Sequence, residues 1–492
     1  MAGFDNAKYI KLQTEEITKR INNFSNKLYM EFGGKLFDDL HAARVLPGYD
    51  AGVKIKILKK LKDKSEIIFV ISAKDIEKHK IRADFSITYD VEVLRQIDNL
   101  RAEGLYVSSI VITLFTGQQG AVVFAEKLKA RGERVYFHAP TPGYPNDVET
   151  IVSDKGYGAN PYIETKRPLV VITAPGPGSG KLGTCLSQLY HEYKRGVKAG
   201  YAKFETFPVW NLELKHPVNV AYEAATADLG DINMIDSFHL AAYNKVAINY
   251  NRDLECFPVV QNILTKITGN PKLYQSPTDM GVNMVGYCIK DDKEVRHAAQ
   301  MEVIRRYQKS LVDKITAGGS KEAPKRIELL MSQMNISLAD RPVVEKVREY
   351  ANQFDMPICG IDLKKKVVYG KSKDLLSASA AAVLNALKEL SKIDDKFELL
   401  SEQFLKPVCA LKKDVLGVRK GQLNLKEALM VLSISSVINP LAKNALANLG
   451  KLKGLEAHSS CILDKEEEQT LKKLGLFITT EPIFSSNNLY QS

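Results

Sequence analysis

The chain predicts an α/β fold: a mostly parallel sheet with a P-loop-like strand-turn-helix, a helical subdomain, and a carboxyl-terminal α+β domain. Three observations carry this. Apolar runs of strand length alternate with helically spaced segments through the first 230 residues, one such run ends in a glycine-studded turn that opens into a helix, and beyond it the alternation stops. The expected domains are 1–230, 231–320 and 321–492.

Taken in order, Leu28-Tyr-Met-Glu-Phe32 is an apolar run ending in Gly33-Gly34-Lys35. It reads either as a phosphate-contacting opening of the kind found in some small-molecule kinases or as a hairpin turn. The lysine-rich stretch Lys54 to Lys64 interleaves charges with Val53, Ile55, Ile57, Leu58 and Leu61, the pattern of a solvated face over a core. Glu66–Ile71 then reads as a buried strand, Val91–Ala102 as a helix, Val107–Phe115 as a strand, Ala121–Ala130 as a helix, and Val135–Ala139 and Leu169–Thr173 as strands. Such alternation means crossover units, and in such sheets ligands sit at the carboxyl ends of the strands. Thr116-Gly-Gln-Gln-Gly120 occupies one strand-to-helix junction, as a structural turn or as part of the crevice.

The most legible chemistry is Ala174-Pro-Gly-Pro-Gly-Ser-Gly-Lys181, between the strand Leu169–Thr173 and a helical pattern from Lys181 to Lys198. A strand that ends in glycines and enters a helix leaves several N–H groups pointing at one spot, where the helix dipole adds positive charge. Gly176, Gly178, Ser179 and Gly180 would hold phosphate oxygens, and Lys181 stands where a P-loop lysine reaches terminal phosphates. The pattern departs from the P-loop in two places. Pro175 replaces the first glycine, and Leu182 replaces the hydroxyl residue that binds magnesium, leaving Thr184 as a substitute. The plain alternative is a tight turn that uses Gly and Pro for geometry alone.

His216 to His239 is dense in polar groups, and Asp228 and Asp231 offer oxygen ligands for magnesium beside Thr184, or catalytic carboxylates working with Lys181. Asp231 also has the position of an N-cap before a helix beginning at Ile232. Helical spacing continues in Ile232–Tyr243, Glu255–Ile267 and Glu294–Ile315. Ser276–Gly286 reads as turn and cap chemistry or as a loop closing over substrate, and Gly318–Pro324 as a connector. Beyond it, Pro357–Leu363 and Lys366–Gly370 predict a hairpin, Ser377–Leu390 a helix, Leu425–Leu449 a helical stretch broken near Pro440, and Leu455–Leu463 a strand. On that strand His458 and Cys461 face opposite sides, which argues against zinc.

Composition bounds the function. With 69 basic and 58 acidic residues the chain carries +11, but the excess is spread along the sequence, which argues against a nucleic-acid partner. The six cysteines, at 185, 256, 288, 359, 409 and 461, are isolated from one another, so a reducing cytoplasm is expected. No apolar run approaches the ~20 residues that span a bilayer, so no membrane association is expected. The G-x-S-x-G and H-E-x-x-H patterns are missing, and no strongly apolar strand after Lys181 ends cleanly in Asp.

Taken together, Leu28–Gly48, Ala174–Gln188, His216–His239, Ser276–Gly286 and Leu455–Ser460 resemble a family of bacterial proteins of about this length, whose domain has no assigned function. The resemblance spans nearly the whole chain and implies a multidomain α/β architecture without assigning any residue a role. The expectation from the residues is a cytoplasmic, homo-oligomeric protein that binds a phosphorylated small molecule, such as ATP or another nucleotide with Mg2+. Phosphoryl transfer is the matching chemistry. The alternative is a regulatory protein that senses such a metabolite without turning it over.

Overall fold

Strands that are apolar at nearly every position need cover on both faces, and a parallel sheet sheathed by helices supplies it. The computed structural model describes residues 3–34, 36–37, 39–82, 87–205, 207–316, 319–419 and 421–486; Lys35 and Gly318 therefore lie outside the described residues. The chain divides into two compact units, Met1–Ala299 and Gln300–Ser492.

In the first unit one sheet contains β1 (Leu28–Phe32), β2 (Ser65–Ser72), β3 (Val107–Thr113), β4 (Val135–Phe137), β5 (Leu169–Thr173), β6 (Gly200–Phe204) and β7 (Gly281–Val282). The order is β7-β6-β1-β5-β2-β3-β4, and every neighbouring pair is parallel. β2, β3 and β5 are buried at each position. The main helices of this unit are α1 (Asn6–Asn23), α2 (Tyr89–Ala102), α3 (Lys181–Lys194) and α4 (Asn251–Thr268). Tyr29, Ile68, Val170 and Ile172 of the sheet pack with Leu186 of α3 and Phe257 of α4 in one core.

The connectivity matters for the site. From β2 the chain moves outward to β3 and β4, whereas from β5, the neighbour of β2, it returns through α3 to β6 on the opposite side. Connections that diverge from adjacent strands leave a crevice at their carboxyl ends.

Most predicted strands and helices appear within two residues of their expected bounds, and the departures have local causes. The helix from Lys181 stops at Lys194, and the chain turns through Gly196 into β6. Leu28–Phe32 is not a hairpin strand, because it pairs in parallel with both β5 and β6. Ile232–Tyr243 is not one helix: Asn233–Ile235 pairs antiparallel with Ile248–Tyr250, and the helix runs from Ser237 to Tyr243. Its N-cap is Asp236, whose carboxylate accepts from the His239 N–H at 2.9 Å, so Asp231 is not the cap. Lys54 does not belong to a solvated face, since it is buried and paired with Asp39 at 3.0 Å. Ser276 and Asp279 form a reciprocal capping box, as the turn reading of that loop expects.

Helix α5 (Asp292–Thr316) runs through the boundary between the units. The second unit holds a mixed sheet of β8 (Ile358–Asp362), β9 (Val367–Lys371), β10 (Glu456–Ser459) and β11 (Phe477–Thr480), in the order β9-β8-β10-β11. β8 is antiparallel to β9 and β10, while β10 and β11 are parallel. Helices α6 (Ala378–Leu390), α7 (Glu402–Ala410) and α8 (Leu425–Ser435) contribute Val383, Leu387, Leu405, Ala428 and Leu432 to its core.

The polar anchor of this unit is Arg341, 1% exposed. It donates to Glu456 at 2.7 Å, to Gln308 and to the carbonyls of Ala457 and Phe477 at 2.8 Å, and to Thr479. One guanidinium thus ties β10 to β11 and both to α5. Beside it His458 is buried and satisfied by Thr479 at 2.8 Å and Glu481 at 2.9 Å, which suits a structural histidine. Removing one partner of a buried, fully bonded ion pair strands the other, so Arg341→Ala is expected to cost the second unit about 3–5 kcal/mol. A fall in the urea midpoint of that unit's unfolding transition measures it, and an unchanged midpoint refutes the anchoring role.

Candidate functional site at the carboxyl edge of the parallel sheet

β5 ends at Thr173, and the chain passes through Ala174–Gly180 into α3 at Lys181. Two glycines make this path possible. The Tyr89 hydroxyl at the start of α2 would lie 2.3 Å from a Cβ at Gly176, so a side chain there would have to displace Tyr89. Gly180 is the N-cap of α3 with φ +85°, a left-handed conformation that favours glycine. The turn is braced by side chains. Thr113 at the end of β3 donates to the Ser179 carbonyl at 2.7 Å, and the buried Ser179 hydroxyl donates to the Gly176 carbonyl at 2.9 Å.

That bracing spends carbonyls and leaves donors. Among the described residues, the backbone N–H groups of Gly176, Gly178 and Gly180 make no hydrogen bond, nor do those of Lys181, Leu182 and Gly183 in the first helical turn, while Pro177 and Gly178 form a turn that brings the Ser179 N–H towards the Gly176 carbonyl. The first backbone donor engaged inside α3 is Thr184, to the Gly180 carbonyl at 3.0 Å. A cluster of free amides at the head of a 14-residue helix has the geometry and the dipole to take an anion.

Lys181 extends from this helix start towards β1, where its ammonium lies 3.5 Å from Glu31 Oε1. The other carboxylate oxygen of Glu31 accepts from the Tyr201 hydroxyl at 3.1 Å. Glu31 of β1 stands opposite Lys203 of β6 in the sheet register, and Lys203 donates to Asp253 at the start of α4 at 2.9 Å. Glu205 follows two residues after Lys203 on the same strand line, beside Gly281. The rim therefore alternates in sign: Lys181, Glu31, Lys203 and Asp253.

This packing perturbs the proton affinities. Burial pushes the Glu205 carboxyl up to about 7; Lys203 opposes the rise, and the charges of Asp253 and Glu31 add to it. Burial works against the Lys203 ammonium, yet Asp253, Glu205 and Glu31 outweigh it and hold Lys203 above the usual lysine range. Burial, aided by Glu31, pushes the Tyr201 phenol well up, so it stays a hydrogen-bond donor to that carboxylate.

The other predicted residues make no bond to Lys181. The Thr184 hydroxyl donates back to the Gly180 carbonyl at 3.0 Å within its own helix. Asp228 is exposed on a short turn, Ala227–Leu229. Asp231 is buried and paired with Arg252 at 3.2 Å, and burial raises its pKa against the pull of that arginine. Among the described residues no ion pair joins Lys181 to Asp228 or Asp231; the partner of Lys181 is Glu31. Asp231 borders the same region: it pairs with Arg252, and the charge of Asp253, the next residue, adds to the rise in its pKa. No group of three or more His, Cys, Asp and Glu suited to hold a metal ion occurs among the described residues. Thr116–Gly120 is a structural turn, with Gln118 bonded to Thr116 and the Gly120 N–H bonded to Glu77 at 2.9 Å.

Sequence reading passed over Glu31, Lys203, Glu205 and Asp253. A signal existed for three of them: charges at the ends of otherwise apolar strands, with Lys203 and Glu205 two apart and so on one face. Asp253, in the first turn of a helix, looks like any residue that suits the helix dipole.

No helix among the described residues is long and apolar enough to cross a membrane. Residues 2–335 match the family described as "Domain of unknown function DUF1846, N-terminal", and residues 339–490 match its C-terminal counterpart. A UPF0371 protein of Clostridioides difficile strain 630 is 52% identical over 100% of this chain and 99% of its own length. UPF0371 proteins of Clostridium tetani and of Clostridium botulinum strain Langeland are each 53% identical, over 99% of both chains. With both halves matched in order and relatives aligned end to end, the chain belongs to the DUF1846 family, as the segments carrying the resemblance imply.

Proposed function

We propose that the turn Gly176–Lys181 binds the phosphate of a nucleotide or another phosphorylated metabolite at the carboxyl edge of the sheet. The observation that supports this most is the set of unbonded amides at the head of α3, in a turn that other side chains hold open. Gly176, Gly178 and Gly180 supply main-chain donors, and Lys181 supplies the counter-charge. Phosphoryl transfer suits such a site because it requires positioning and charge neutralisation more than a covalent nucleophile.

The second reading is a protein that binds the phosphorylated metabolite without turning it over, and one observation favours it. The oxygen ligands expected for magnesium are not gathered: Thr184 is bonded within its helix, Asp231 is paired with Arg252, and Asp228 lies on an exposed turn. The phosphate therefore fits the residues present and the metal set does not.

Thermal melting with ATP, ADP, pyrophosphate and sulfate, with and without magnesium, separates the readings. A ligand at 100 times its dissociation constant stabilises the protein by roughly 2.7 kcal/mol. A metal-independent shift with several phosphates, lost in Lys181→Ala, is the outcome expected of the binding protein. A magnesium-dependent shift confined to nucleoside triphosphate favours the enzyme, and no shift with any of them removes both.

The same rim predicts a pH dependence. Glu205 holds its proton up to about 7 when folded and to 4.5 at its ordinary value, so its contribution to stability is full below pH 4.5 and is lost as pH rises through 7. Glu205→Gln keeps the neutral form at every pH. Melting from pH 4.5 to 8 should show the variant gaining on the wild type as pH rises, and parallel curves would place Glu205 in open solvent.

A further inference from the structure

The turn at the head of α3 supplies donors and one ammonium, and the rim beside it supplies acceptors. Glu31 of β1 and Lys203 of β6 are partners in the parallel register, so they project from the same face of the sheet, the face that α3 and α4 cover. Lys181 in the first turn of α3 reaches Glu31 at 3.5 Å, and Asp253 in the first turn of α4 accepts from Lys203 at 2.9 Å. The row therefore lies between the heads of two helices. These four side chains are 14–23% exposed, neither sealed in the core nor free on the surface.

Glu205 extends the row by one step. Its N–H donates to the Val282 carbonyl of β7 at 3.2 Å, which carries the line of β6 past Phe204 and keeps Glu205 on the face of Tyr201 and Lys203. Its carboxylate rests over Gly281, where a Cβ would lie 2.6 Å from Oε2, so the glycine leaves it room. Glu31 and Asp253 are paired, and Glu205 is not. Among the described residues its side chain makes no hydrogen bond and no ion pair, although the charges of Lys203, Asp253, Glu31 and Arg20 act on it. Arg20 is taken up by the carbonyls of Asp279 and Gly281. A half-buried carboxyl without a partner is costly unless a group from outside the chain bonds it.

We infer that Glu205 selects the unphosphorylated part of the ligand, bonding a hydroxyl of a sugar whose phosphate sits on the turn at the head of α3; this rests on the proposed role of that turn. Strand geometry sets the span. Neighbouring strands lie ~4.8 Å apart and alternate residues of a strand ~6.7 Å apart, so Glu205 stands about 8 Å across the sheet from Glu31, the partner of Lys181. A phosphate ester and one sugar ring bridge that length. Charge favours a hydroxyl over an ammonium. Lys203 and Arg20 already bring positive charge to Glu205, and burial keeps its proton on up to about 7, so near neutrality it both donates and accepts, as a hydroxyl does.

Isothermal titration of the full chain with methyl phosphate, phosphoethanolamine, ribose 5-phosphate, glucose 1-phosphate and glucose 6-phosphate tests this. At least one sugar phosphate is expected to bind about tenfold more tightly than methyl phosphate, and Glu205→Ala to remove that advantage while methyl phosphate still binds. Glu205→Gln, which keeps a donor and an acceptor, should retain most of it. If Glu205→Ala fails to fold, Glu205→Met takes its place. Sugar phosphates that bind no more tightly than methyl phosphate overturn the inference and leave the phosphate turn standing. An advantage that survives in Glu205→Ala, or one shown by phosphoethanolamine instead, overturns it equally. If none of the five compounds binds, the phosphate turn itself falls and this inference with it.

Discussion

Helices packed on both faces of a parallel sheet push its charge to the strand ends: Glu66, at the amino end of β2, accepts from the Lys166 and Arg167 N–H groups at 2.6 Å, and the larger cluster lies at the carboxyl rim. In the first unit every side chain of β2, β3 and β5 is buried, and helices α3 and α4 close the face that carries Tyr29, Val170 and Ile172. Polar groups inside such a layer cost more than they return unless paired. The chemistry collects at the carboxyl ends instead: the turn after β5, Glu31 near the end of β1, and Lys203 and Glu205 near the end of β6. The counter-charge of Lys181 and the raised proton affinities of Glu205 and Lys203 follow from that exclusion.

The strand-turn-helix at 169–194 was legible because all its determinants are local. An apolar run, glycines that admit a close approach by Tyr89 and a left-handed cap, and a helical repeat are written in consecutive residues. The partner of Lys181 was not legible. Glu31 meets it only because β1 lies beside β5 in the sheet, and strand order depends on the whole topology. The same holds for Glu31 opposite Lys203, a matter of register between strands far apart in sequence.

Asp231 and Asp236 show how a local rule misleads. Both precede short apolar segments and both have the chemistry of an N-cap. The choice between them falls to pairing: Asn233–Ile235 is taken up by Ile248–Tyr250, so the helix cannot begin until Asp236, and Asp231 turns to Arg252. The large features of the second unit, the hairpin β8–β9 and the alanine-rich α6, were legible from spacing. Its anchor was not, because nothing near Arg341 in the sequence announces that it will be enclosed by Gln308, Glu456 and Thr479.

On the proposed reading, the alternating rim also sets how a phosphate would be held. Lys181 is already half-neutralised by Glu31, so an anion at the turn competes with that carboxylate for the ammonium and gains less from Lys181 than from an unpaired lysine. Glu31 is not stranded by the exchange, since Tyr201 donates to it and Lys203 stands opposite. The main-chain amides of Gly178, Gly180 and Lys181 face no such competition, because no carboxylate or carbonyl is bonded to them. Their share of the affinity therefore outweighs that of the lysine, and the ligand best served places compact, multivalent negative charge against the backbone while leaving the Lys181–Glu31 pair largely intact.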